Sequence, residues 1–166
     1  MGVSFKQARR LMYLVVITVF AFMELDKGGL VRHTFEYFAY DDGRSVVEDR
    51  MLNKTGSEEG DIKAYIEELV MGPVSVDFAP LLTKGTKLHS FMFRDGTVFA
   101  DFSRDAVFPV QGGRPLFDSF VALNQGIRRN FPSVSDVKIF VNGNEVFFGE
   151  FSKIFGGDQK KLPISY

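Results

Sequence analysis

The chain has 166 residues, 45% of them hydrophobic and 25% charged, which is the make-up of one ordinary globular domain and excludes global disorder. It contains no cysteine, which excludes disulfides, thiolate zinc sites, cysteine nucleophiles and lipid attachment through an N-terminal cysteine. All 21 acidic residues lie at or after Glu24 while Lys6, Arg9 and Arg10 precede it, so the remainder carries 17 basic residues and a net charge of −4, which argues against a nucleic-acid partner.

The basic flank, residues 1–10, is followed by an apolar run from Leu11 to Met23, LMYLVVITVFAFM, with Tyr13 and Thr18 as its only polar side chains. As a helix this run spans about 20 Å at about 1.5 Å per residue, against about 30 Å of hydrocarbon in a bilayer. Its length also suits a signal-peptide core cut after Ala21. Phe20, Phe22 and Met23 crowd that cut, so residues 11–25 read as an uncleaved membrane anchor, followed by a linker over 26–31. A helix of a soluble core would show a polar face, and this run shows none. The basic flank places the N-terminus in the cytoplasm and everything beyond the anchor outside, as a single-pass protein of the cytoplasmic membrane.

Beyond the linker, hairpins and helices alternate. Arg32 to Tyr40 and Arg44 to Leu52 are rich in Phe, Tyr and Val and are joined through Asp41-Asp42-Gly43, which predicts a first hairpin. After the polar connector Asn53 to Gly60, the residues Ile62, Tyr65, Ile66, Leu69 and Val70 recur on one helical face, with Glu58, Glu59 and Asp61 at its start and Gly72-Pro73 as its stop. Val74 to Thr83 reads as irregular, Pro80 excluding a central strand. Thr86 to Arg94 and Thr97 to Ser103 flank Asp95-Gly96, the preferred dipeptide of a two-residue hairpin. Both alternating sets of the first arm, Leu88, Ser90, Met92 and His89, Phe91, Phe93, contain large apolar groups, so both faces are expected to be covered.

Pro115 opens a second helix whose stripe is Leu116, Phe120, Leu123 and Ile127, ended by Asn130 and Pro132. A third hairpin, Val137 to Val141 and Glu145 to Phe148, turns at Asn142-Gly143, and residues 156–166 form a polar tail. Helices that must bury their stripes against sheet give an α+β fold class.

In this order the motifs resemble the GerMN domain, the sporulation and spore germination family. They are IEELVMGP at Ile66 to Pro73, LLTKGTKLHSFMFRDGTVFADFS at Leu81 to Ser103, and FPSVSDVKIFVNG at Phe131 to Gly143. The resemblance runs from about Phe35 to Val146 and defines a single GerMN-like α+β domain over residues 32–155, three hairpins and two helices. It implies a bacterial, extracytoplasmic module behind a membrane anchor, a role in envelope or sporulation assemblies, and no catalytic residues. Members are often lipoproteins or carry tandem modules, whereas this sequence has no lipid-bearing cysteine and room for one module.

The residues themselves offer little chemistry. His33 and His89 lack any ligand-spaced motif and are expected on a partly wet strand face. Asp101 and Asp105 would need to converge to act as acid and base, but each stands where aspartate caps a turn. Asp41-Asp42-Gly43 lacks the further ligands of a calcium loop, and Ser103 and Ser119 have no nucleophile elbow. No catalytic residue, cofactor or metal site is therefore expected. Nineteen phenylalanines are many for this length. Phe147, Phe148, Phe151 and Phe155, with Ile154, form the candidate partner surface, the alternative being a last strand and packed tail. The expected function is a non-enzymatic, membrane-tethered module contacting an envelope protein or a second copy of itself. The alternative is a domain that binds cell-wall glycan or peptide.

Overall fold

Alternating apolar side chains build the first sheet. A computed structural model gives the fold over residues 5–25 and 29–146. Strand β1 (Leu30–Ala39) sends His33, Phe35, Tyr37 and Ala39 inward and pairs antiparallel with β2 (Ser45–Asn53). The turn between them is closed by Gly43, whose N–H donates to Ala39 O at 2.9 Å with φ at 67°. At its far end β1 also pairs with a two-residue strand, β3 (Phe78–Ala79), giving the order β2-β1-β3. The segment Val74 to Thr83, expected to be irregular, thus supplies an edge strand. It stops before Pro80, as a residue without an N–H requires.

The helix α2 (Glu58–Met71) crosses the inner face of this sheet, burying Ile62, Tyr65, Ile66 and Leu69. Ser57 caps it, its Oγ accepting from Gly60 N–H at 3.1 Å, and Asp61 Oδ1 accepts from both N–H and Oγ1 of Thr55. Gly72, with φ at 91°, ends it by donating to Leu69 O. Replacing Ser57 by alanine is expected to cost about 1 kcal/mol in chemical denaturation, the usual worth of such a cap.

The second sheet has the order β4-β5-β6-β7. Its strands are β4 (Leu88–Arg94), β5 (Thr97–Phe102), β6 (Asp136–Val141) and β7 (Asn144–Glu145). Asp95 and Gly96 take φ of 51° and 75°, and Asn142 and Gly143 take 51° and 78°, the two positive values that a tight primed turn demands. Unlike the hairpins on either side, β5 and β6 run parallel, Thr97 facing Asp136 and Phe102 facing Val141. The crossover between them contains a 3-10 turn (Arg104–Val107) and α3 (Leu116–Asn130), which buries Phe120, Leu123 and Ile127. The core lies between these helices and the inner faces, with Phe35, Tyr37, Tyr65, Phe102 and Phe120 its largest members.

A register shift between Leu88 and Ser90 makes His89 the extra residue of a bulge. Leu88, Phe91 and Phe93 therefore share the core face, while Ser90 and Met92 share the other. That second face was expected to be covered; among the described residues it is open, and Met92 is 43% exposed.

At the N-terminus, α1 (Phe5–Leu25) is helical, and its apolar residues from Leu11 to Phe20, Thr18 aside, are exposed. Among the described residues no helix is long and apolar enough to cross a membrane. The single-pass span expected from sequence is accordingly not supported, because the apolar stretch falls about 10 Å short of the hydrocarbon thickness.

Candidate functional site

Four elements end around one cleft of about 220 Å³: the start of β1, the end of β2, the first turn of α2 and the end of α3. Val31, Leu52, Phe131 and Pro132 give it apolar walls; Lys54, Glu58, Asp61, Asn53 and Asn130 give it polar ones, and His33 stands between the two sets. Asn130 is spent on structure. Its Nδ2 donates to Thr34 O and Gly126 O at 2.8 Å each, and its Oδ1 accepts from Thr34 N–H at 2.9 Å. This carboxamide completes the free edge of β1 much as a neighbouring strand would.

His33 was expected on a wet face, and instead only 6% of it is exposed. Its ring lies 5.2 Å from that of Phe131 and 5.8 Å from that of Tyr65. The difference arises because α3 returns to cover β1 from far along the chain. Nδ1 is buried with no hydrogen-bond partner among the described residues. Burial lowers the imidazole pKa below its ordinary value, with the Asn130 carboxamide and the Asp61 charge pulling the other way.

The sign of the resulting pH dependence follows from linkage. As pH falls below about 6.5 the unfolded chain takes up a proton that the folded chain resists, so stability is lost in that direction. His33→Phe removes this dependence. It also removes the unpartnered nitrogen, and is expected to raise the unfolding free energy at pH 7 by about 1 kcal/mol. Urea unfolding of both forms at pH 5.5 and 7.5 measures both effects.

A second surface is the open face of β4, β5 and β6. Met92 opposes Phe99, and Asp101 opposes Phe140 in the ladder. With Ser90 these side chains line a shallow groove of about 440 Å³. The Lys138 ammonium lies 5.9 Å over the Phe99 ring.

The remaining residues singled out in sequence are dispersed. His89 is exposed on the bulge, away from the His33 cleft. Asp101 accepts from Gly143 N–H at 3.0 Å, and Asp105 accepts from Ser103 Oγ at 3.0 Å, so each holds a different turn. Ser103 Oγ in turn accepts from Lys87 N–H. Asp42 Oδ1 accepts from Arg44 N–H within its own loop, which holds the Asp42 carboxyl below its ordinary range. Among the described residues no three His, Asp or Glu gather as a metal site would require. Phe147, Phe148, Phe151 and Phe155 lie outside the described residues. The cleft residues Lys54, Glu58, Asp61 and Asn130 share no spacing that marks them in sequence. The one local cue is Asn130 before Phe131-Pro132, a polar helix end set against apolar neighbours.

Two sheets with α2 and α3 packed on their inner faces define a mixed α+β module, with the His33 cleft at the edge of the first sheet and an open face on the second. A family profile described as Germane, sporulation and spore germination, matches residues 36–147, and the chain belongs to that family. Among solved structures it is similar to the tandem GerMN domains of the sporulation protein GerM from Bacillus subtilis, with 26% identity and a TM-score of 0.48. That match covers 69% of this chain and 40% of the tandem one. It is also similar to the first GerMN domain of the same protein, with 24% identity and a TM-score of 0.48, covering 68% of this chain and 85% of that domain. No curated protein matches the chain.

Proposed function

We propose that this protein is a non-enzymatic extracytoplasmic module, held at a bacterial cytoplasmic membrane by α1, that contributes to an envelope- or sporulation-type protein assembly. The observation that carries this reading is membership of a sporulation and germination family across residues 36–147. Two features of the surface support it. The exposed apolar residues of α1, Leu11, Leu14, Ile17 and Phe20 among them, form a hydrophobic surface that a bilayer would cover. Held within a locally thinned membrane, such a short helix would keep Arg9 and Arg10 at the cytoplasmic headgroups. The open face bearing Met92, Phe99 and Phe140 then offers a protein partner an apolar centre with the polar Ser90, Asp101 and Lys138 around it. The carboxylates and serines that enzymatic chemistry would recruit, Asp101, Asp105 and Ser103, are committed to turns.

The test is photocrosslinking from position 92 of the full chain in intact membranes. A discrete adduct that disappears when Phe99 is replaced by aspartate supports the assembly. Recovery of monomer alone, together with tight binding of the purified chain to isolated cell wall, overturns it in favour of a cell-wall ligand domain. The tether is checked separately by intact mass: the mature chain is expected to retain its leader, and a start at Phe22 refutes the anchor.

A further inference from the structure

A strand that ends at a sheet edge while its neighbour runs on leaves backbone groups without partners. Strand β6 has six residues, yet β7 pairs only with its last two, Glu145 facing Phe140 and Asn144 facing Val141. The contact runs one residue further: Val146 N–H donates to Ile139 O at 2.8 Å, and the Val146 side chain packs on the core. Before Ile139, among the described residues, no strand pairs with the outer edge of β6, and Val137 N–H turns to the carboxylate of its own neighbour, Asp136. Lys138 and Phe140 of this strand lie on the open face, beside Phe99 and Asp101 of β5 and Ser90 and Met92 of β4. Met92 is 43% exposed there, over the groove of about 440 Å³.

We infer that residues 147–155 of this same chain are the occupant of that face, a cover that continues from β7. Register sets its first step. With Val146 opposite Ile139 on the core side, alternation assigns Phe147 the place opposite Lys138 on the open side, beside Phe99, and Phe148 the place opposite Val137. Gly149 then permits a reversal of the chain. Six extended residues, Glu150 to Phe155, reach about 20 Å, and three strands are about 10 Å across. That length suffices to carry Phe151, Ile154 and Phe155 over Phe140, Phe99 and Met92. Charges of both signs are answered too, since Glu150 and Lys153 meet a face that holds Lys138 and Asp101. The inference rests on the reading that this face receives an assembly partner, because the cover then regulates the face and the partner must displace it.

The chain contains no cysteine, so introduced thiols report the face without background. The full-length protein is placed in lipid nanodiscs, one copy per disc, and Met92→Cys is reacted with a water-soluble maleimide. Its labelling is expected to accelerate about tenfold when Phe151→Ser and Phe155→Ser are added, as for a face uncovered by a local opening. Val47→Cys, at a site 58% exposed on the first sheet, is expected to label at one rate in both backgrounds. Register is read separately. Oxidation is expected to join Lys138→Cys to Phe147→Cys, since directly opposed residues without mutual hydrogen bonds stand about 4.5 Å apart, and to leave Lys138→Cys with Phe148→Cys reduced. Equal labelling of Met92→Cys with and without the two phenylalanines overturns the inference, as does faster closure of the Phe148 pair. An equal acceleration at Val47→Cys overturns it too, because the segment would then support the whole fold rather than cover one face. Protection that appears only when several copies share a disc assigns the face to a second copy instead. Loss of the photocrosslinked adduct with protection retained would sink the assembly and keep the cover, and the adduct without protection would do the reverse.

Discussion

Replacing Arg50 by alanine is expected to lower the unfolding free energy by about 2 kcal/mol, the consequence of leaving two half-buried carboxylates without the charged donor that they share. The Arg50 side chain is 10% exposed and serves three groups at once. Nη1 donates to Glu68 on α2 at 2.7 Å; Nη2 donates to Glu48 at 3.2 Å and to Gly72 O at 2.8 Å. Its guanidinium also lies 5.0 Å from the Phe35 ring centre and 5.8 Å from that of Tyr37. The fork thereby joins β2 to both the body and the C-terminal end of α2. Removing it leaves two carboxylates facing each other and uncovers two aromatic rings. Lysine keeps the charge but cannot serve three acceptors in a plane, so Arg50→Lys is expected to recover only about half the loss. Guanidinium denaturation of the three forms checks the order wild type, lysine, alanine, and equal stability of the last two would show that charge contributes nothing.

Gly126→Ala is expected to destabilise the domain by about 1–3 kcal/mol, although alanine is the better helix former by about 1 kcal/mol. A Cβ there would fall 2.6 Å from Tyr65 Oη, closer than real contacts allow. Tyr65 cannot move aside: its ring stacks on Phe35 at 4.6 Å, meets Phe131 edge-on at 5.6 Å, and its hydroxyl donates to Thr34 O at 3.2 Å. Tyr65→Phe removes the clashing oxygen, leaving the next ring atom at an ordinary 3.7 Å. The double variant is therefore expected to be more stable than Gly126→Ala alone. Strict additivity in that double-mutant cycle would refute the contact as the cause.

Local chemistry made much of this fold legible. Asp95-Gly96 and Asn142-Gly143 announced their turns because few other residues accept two successive positive φ values. The apolar spacing of Ile62, Tyr65, Ile66 and Leu69 announced α2 because one face of a helix repeats with that period. What stayed hidden depends on distant partners. The parallel pairing of β5 and β6 needs the whole α3 crossover before it exists, and Phe78–Ala79 is a strand only because β1 passes beside it. The bulge at His89 inverted the expected face of Leu88. His33 looked like a wet strand residue because nothing near it in sequence says that Phe131 will cover it. The cleft was illegible for the same reason, its walls being drawn from segments between Val31 and Pro132.

The bonds between Thr34 and Asn130 close over 96 residues. A chain emerging N-terminus first, from a ribosome or through a membrane pore, presents β1 and β2 long before the residue that seals their free edge. Until α3 arrives, the backbone of β1 around Thr34 remains open to any passing strand. Closing so long a loop late also predicts slow folding for a domain of this size. Truncation before Asn130 should thus yield aggregates rather than a smaller soluble domain.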